Sequence, residues 1–188
     1  YGALSARAGL DAAAADALDA VWQKYPDDPL LKAGAVKLMI DGVIESHTAV
    51  MLAPYANKPV KGEPIWKPEE FRRVIAMLDR RGWQVWVHAI GDGGVRMTLD
   101  AFEQAAAANP APNADRRHRI EHIETIDAAD IPRFAKLNVI ASQQPFHGTP
   151  DSLGVWIPNI GAERASRAWV YGSVLRAGGR VAFGSDWA

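Results

Sequence analysis

The chain has 188 residues, 48% hydrophobic and 23% charged, enough apolar material for one domain with a sizeable core. Lys and Arg number 21 against 22 Asp and Glu, a formal charge of −1, which argues against a basic nucleic-acid binder and an acidic disordered segment. Without cysteine there is no disulfide framework, thiolate zinc site or thiol nucleophile, and no apolar run of 18 residues is present to span a membrane. The chain starts at Tyr1 with no charged segment leading into an apolar one, so the reading is that any targeting signal is absent or removed.

In chain order, residues 10–24 are Ala-rich with helical apolar spacing and are closed by Pro26. Residues 35–42 (AVKLMIDG) read as a buried strand. Pro54, Pro59, Gly62, Pro64 and Pro68 mark a long irregular excursion from Gly42 to Pro68, a length that in compact domains is usually functional or disordered. A second amphipathic helix is expected from Pro68 to Arg81, with Gly82 at its end. Strand 83–90 (WQVWVHAI), a helix from Gly93 to Ala108 capped by Asp92, and strand 118–124 (HRIEHIE) follow. Asp127 then caps a short helix to Lys136, and strand 138–144 (NVIASQQ) comes next. A loop over 145–162, a helix from about Arg164 to Ala177 and strand 180–185 complete the chain. Strict alternation of five strands with five helices predicts a parallel α/β sheet, because parallel neighbours require long crossovers. Gly91-Asp92-Gly93-Gly94 lacks the G-x-G-x-x-G spacing of a dinucleotide turn, which favours a (β/α)8 barrel over a doubly wound sheet.

The barrel reading also fits the placement of ionisable residues. Lys37, His88, His122 and Asp186 stand near the C-terminal ends of four strands, the end at which barrel active sites are built. By strand alternation Lys37 and Met39 share a face, His122 shares one with Ile120 and Glu124, and Asp186 shares one with Gly184 and Ala182. Taken singly, a strand lysine is commonly ion-paired, a strand histidine hydrogen-bonded in a core, and Asp186 a helix cap. Their coincidence at equivalent strand ends points to a divalent-metal site, Zn²⁺ or a related ion, with an open position for water.

The stretches VKLMIDGVIESHTAVMLAPYAN, VWVHAIGDGGVRMTLDAFE, RHRIEHIE, ASQQPFH and VAFGSDWA resemble the amidohydrolase superfamily. The resemblance is to its amidohydrolase family 3 branch, which includes N-substituted formamide deformylase-like proteins. It implies that Lys37, His88, His122 and Asp186 are metal ligands on barrel strands 4, 5, 6 and 8, with one or two ions and a carbamate on Lys37 as implied cofactors. It further implies cleavage of a C–N bond in an amide, formamide or related small molecule by a metal-activated hydroxide. Asp186 would be the catalytic proton carrier, and Gln144 and His147 after strand 7 would be substrate contacts; an exposed loop histidine is the alternative for His147. His118 reads as structural, Glu121 and Glu124 as surface or supporting contacts, and Trp156 and Trp187 as the tryptophans placed for substrate.

The superfamily's H-x-H is absent, and Glu45-Ser46-His47 stands where relatives commonly have a Gly-Ser-Arg type sequence. A whole barrel needs about 250 residues, so the chain is expected to be its C-terminal part. Strands 4 to 8 would be present; strands 1 to 3 and the accompanying β-sandwich would be missing. Alone it would be metal-poor and inactive. A homo-oligomer is compatible with this reading, while nucleic-acid and membrane partners are not expected. Other readings are a binding or regulatory protein that keeps the barrel, and a Schiff-base aldolase using Lys37.

Overall fold

The computed structural model describes residues 2–25, 30–110 and 115–186; the expected roles of Pro26 and Trp187 fall outside these residues. Six strands form one parallel sheet in sequential order: β1 (Ala3–Ser5), β2 (Ala35–Met39), β3 (Gln84–Ala89), β4 (Arg119–His122), β5 (Ile140–Gln143) and β6 (Arg180–Phe183). Sequential parallel order, with each crossover returning to the adjacent strand, is the topology of an open segment of a (β/α)8 barrel. The alternation of the sequence yields five of the strands. The sixth, β1, was not expected: three residues are too few to display a period of two, and pairing with β2 in the register Leu4↔Val36 recruits them.

One face of the sheet is apolar. Val36, Leu38, Val85, Val87, Ile120 and Ala141 pack with residues of α2 (Pro68–Arg80) and α3 (Asp92–Ala108) in the main core. Phe71, Val74, Ile75 and Leu78 make the buried stripe of α2 at helical spacing. The other face is polar and charged, because the register aligns Lys37 with Trp86, Trp86 with Arg119, Met39 with His88, and His88 with Glu121. Arg119 lies 3.5 Å over the Trp86 ring and pairs with Glu121.

The remaining helices are α1 (Ala12–Trp22), α4 (Ile131–Lys136), α5 (Pro150–Ile160), α6 (Ala162–Ala165) and α7 (Tyr171–Arg176). Asp11 caps α1, accepting from Ala14 N, and Asp127 accepts from Ala129 N at the 3-10 turn that leads into α4. Two expectations are corrected. The expected loop at 145–162 is a 3-10 turn followed by α5, whose Trp156 and Ile160 bury against Ile44, Met51 and Tyr55 of the 40–67 excursion. That burial outweighs the penalty of Pro158 inside the helix. The single helix expected over 164–177 is broken into α6 and α7, because Ala168 bridges to Thr125 and Trp169 takes a φ of 43° to donate to Glu124 O.

At the N-terminal end of the strands, Asp79 of α2 is buried and accepts from His118 Nε2 at 3.0 Å, Arg116 Nε at 2.6 Å and Asn109 Nδ2 at 2.9 Å. His118 Nδ1 in turn accepts from Val85 N, so the histidine has the structural role expected for it. Burial alone would raise the Asp79 carboxyl, but these hydrogen bonds overcome it and hold the group at about 2. A depressed carboxyl stabilises the fold above its unfolded value near 4, and that contribution is lost as pH falls through about 2. We expect acid unfolding to show an Asp79-dependent loss of about 2 kcal/mol over this window. Asp79→Asn should flatten it; an unchanged acid limb would show that the cluster does not carry it.

Candidate functional site

At the C-terminal ends of the strands a cavity of about 570 Å³ is lined by Lys37, His88, His122 and Asp186, the four residues singled out from the sequence. Glu45, Glu124, Phe146 and His147 line it as well. Gln144 does not. It is buried, and its amide neighbours His122.

Strand geometry alone would misplace His122. Its register partner is Ala89, and Ile120, two residues earlier, is buried in the helix-covered core. Instead His122 and Ile123 adopt left-handed φ values of 75° and 52°, which take the chain out of strand alternation and bring the imidazole against His88, ring centroids 4.4 Å apart. The expected sharing of a face with Ile120 is thereby corrected. Non-glycine residues hold such backbone only where the surroundings impose it, and they concentrate at functional sites. Asp186 likewise lies beyond the end of β6 with φ 55°, so its position follows from a turn, and not from alternation with Ala182 and Gly184.

His88 is oriented from behind. Its Nε2 faces Gly42 O at 3.1 Å and Asp41 Oδ1 at 3.7 Å. A hydrogen on Nε2 donated to that carbonyl leaves the Nδ1 lone pair as the available ligand atom. Asp41 is fully buried and accepts from Val50 N, Ile90 N and Gly91 N, binding the excursion after β2 to the turn after β3. The glycines that the sequence marked at 91–94 serve this packing. A Cβ on Gly91 would sit 2.1 Å from Val50 O, and one on Gly94 would sit 2.6 Å from Asp41 Oδ2.

His122, His147 and Asp186 offer ligand atoms that all lie within 4.8 Å of one another. His147, expected as a substrate contact, therefore stands within the same donor group. Its Nε2 lies 3.9 Å from Asp186 Oδ2 and its Nδ1 lies 3.7 Å from Glu124 Oε1. Burial, then the neighbouring His88, Lys37 and His147, press His122 down to about 2, and burial also lowers His88. Both rings are therefore neutral, the form a metal requires. Burial lowers the Lys37 amine too, against the charges of Glu121 and Asp186. The buried Nδ1 of His122 has no hydrogen-bond partner among the described residues. Neutral imidazoles, a carboxylate and an unpartnered buried nitrogen form a donor set that fits a divalent ion.

A family model described as "Amidohydrolase family" matches residues 3–188. The chain belongs to the amidohydrolase family. The chain is 37% identical over 156 residues to LONG AFTER FAR-RED 3 of Arabidopsis thaliana (82% of this chain, 26% of that protein). It is 30% identical over 159 residues to the Bacillus subtilis protein YtcJ, whose name carries an amidohydrolase assignment (84% of this chain, 29% of that protein). Among solved structures it resembles an uncharacterized metal-dependent hydrolase from Pyrococcus furiosus. The TM-score is 0.75 at 29% identity, covering 91% of this chain and 35% of that one. The chain thus spans between a quarter and about a third of these relatives.

Sequence reasoning missed the role of Glu124. It is 6% exposed, its Oε2 accepts from Trp156 Nε1 at 3.0 Å, and Oε1 lies on the cavity side facing His147. Burial and the nearby Glu45 charge raise it to about 7. The available signal was its place two residues after His122 at the same strand end. Trp156, read as a residue placed for substrate, is buried and acts on the cavity only by holding Glu124. Glu121 is buried beside Arg119, as a supporting contact. Among the described residues no helix is long and apolar enough to cross a membrane.

Proposed function

We propose that the intact protein is a metal-dependent hydrolase of a non-peptide C–N bond in an amide, formamide or related small molecule, and that this chain supplies the C-terminal part of its barrel. The observation that carries the reading is the left-handed turn at His122, which sets its imidazole within 4.8 Å of ligand atoms on His147 and Asp186. His122, His147 and Asp186 would hold the ion, with His88 Nδ1 and Lys37 as further donors. Lys37 contributes an anionic oxygen only after its free amine adds CO₂ and loses a proton, because an ammonium has donors alone. When bound, a divalent ion such as Zn²⁺ supplies Lewis acidity toward the carbonyl and lowers the pKa of water.

The chain's own groups do the rest. Asp186 Oδ2, half-exposed at the cavity mouth, accepts the proton of the attacking water and returns it to the departing nitrogen. The Gly42 carbonyl behind His88 keeps that ring oriented, so that little reorganisation accompanies the reaction. The apolar part of the wall, Met39, Val43, Ile90 and Phe146, excludes water from the acyl portion of the substrate.

Removal of metal from the full-length protein with dipicolinate should reduce hydrolysis of an N-substituted formamide such as N-benzylformamide, and of the matching acetamide, to background. Added Zn²⁺, Mn²⁺ or Co²⁺ should restore it. Full turnover in protein shown by elemental analysis to be metal-free overturns the reading, as does metal-loaded protein that cleaves no amide.

A further inference from the structure

From the lining of the same cavity we infer a substrate class: an amide that carries a positively charged nitrogen on the far side of a short apolar spacer, read by Glu124 and Glu45. The inference rests on the hydrolase reading only in taking the ligand to be an amide. Glu124 is more than nine-tenths buried and is fixed through one oxygen by the Trp156 indole, so the carboxylate cannot swing out to solvent. Its second oxygen opens on the cavity, with His147 Nδ1 at 3.7 Å. Glu45 lines the same cavity. Among the described residues neither carboxylate is ion-paired with a lysine or arginine. Lys37, the lysine of this cavity, lies among Glu121, Asp186 and Arg119 instead.

Two like charges facing one cavity repel each other, and a cation between them relieves that repulsion. Such a cation would also gain a charge-assisted hydrogen bond from Glu124 Oε1. The apolar part of the wall points the same way. Phe146 lines the cavity while 70% exposed, and Met39 and Val43 are also open to it. An aromatic face beside two carboxylates is suited to an ammonium group and the methylenes that carry it. An anionic substrate would bring a further negative charge up to both carboxylates. A neutral one would leave Glu124 Oε1 without a donor in a partly dehydrated site.

The test uses three acetamides built on the same four-methylene spacer and the metal-loaded full-length protein: N-acetylputrescine (cationic), its neutral isostere N-pentylacetamide, and N-acetyl-5-aminopentanoate (anionic). Calorimetric affinities should rank cation over neutral by about 10-fold or more, with the anion weakest. Glu124→Gln keeps an acceptor for Trp156 and should reduce the cation preference to near parity; Glu45→Gln, at an exposed position with no fold to disturb, should reduce it in part. Equal or weaker binding of the cation than of its neutral isostere overturns the inference, as does a preference that both variants leave intact. Turnover is scored separately. Cation preference in binding without cleavage of any acetamide would sustain this inference and count against the hydrolase reading, whereas cleavage with no charge preference would do the reverse.

Discussion

His122→Asn in the full-length protein should lower kcat/KM by roughly 10³-fold, the several kcal/mol of charge stabilisation that a catalytic metal supplies. Asparagine is chosen because it tolerates left-handed backbone, whereas alanine at φ 75° would add strain to the loss of the ligand. The imidazole neighbours both other histidines of the cavity, with the His88 ring centroid 4.4 Å away and that of His147 5.9 Å away. Zinc affinity, measured by competition with a chromophoric chelator, should fall together with turnover while the thermal midpoint of the metal-free protein stays close to that of the parent. Near-normal turnover in the asparagine variant would remove His122 from the machinery.

Asp41→Ala should destabilise the fold by about 3–9 kcal/mol, because three buried amides lose their acceptor together and each unsatisfied group costs about 1–3 kcal/mol. Burial pushes this carboxyl up to about 7 even against those three donors, so the site keeps it at a cost that only the amides offset. Single domains are stable by about 5–15 kcal/mol in total, and an effect of this size is a large share of that. It should appear as a lower denaturation midpoint. Asp41→Asn, which retains one carbonyl acceptor, should be milder. The excursion after β2 should also loosen, visible as faster amide exchange at Val50 and Gly91. An unchanged midpoint in Asp41→Ala would show that water or a rearranged loop satisfies the amides.

Much of the architecture was legible in the residues. Strands 83–90 and 118–124 and helix α2 announce themselves through periodicity and through punctuation by Pro68, Gly82 and Asp127. Strand β1 left no signal because three residues held by their neighbour carry no pattern. Helix α5 was hidden because Pro158 reads as a breaker, and only the burial of Trp156 and Ile160 shows why it is tolerated. At the site, Lys37, His88, His122 and Asp186 could be chosen from their chemistry and their strand ends. The company they keep could not be. Glu124 acquires its place through Trp156, 32 residues away, and His147 through a turn whose direction the local sequence does not reveal.

The sequence by itself determined the alternating parallel architecture, the side of the sheet that takes helices, and the residue types available to hold a divalent ion. These follow from local periodicity and side-chain chemistry. Only the tertiary structure decided that His122 leaves the pattern of its own strand, that His147 approaches Asp186, and that two carboxylates face the same space. Each of those depends on backbone dihedrals and packing imposed by segments distant along the chain, and local propensity holds no record of such forces.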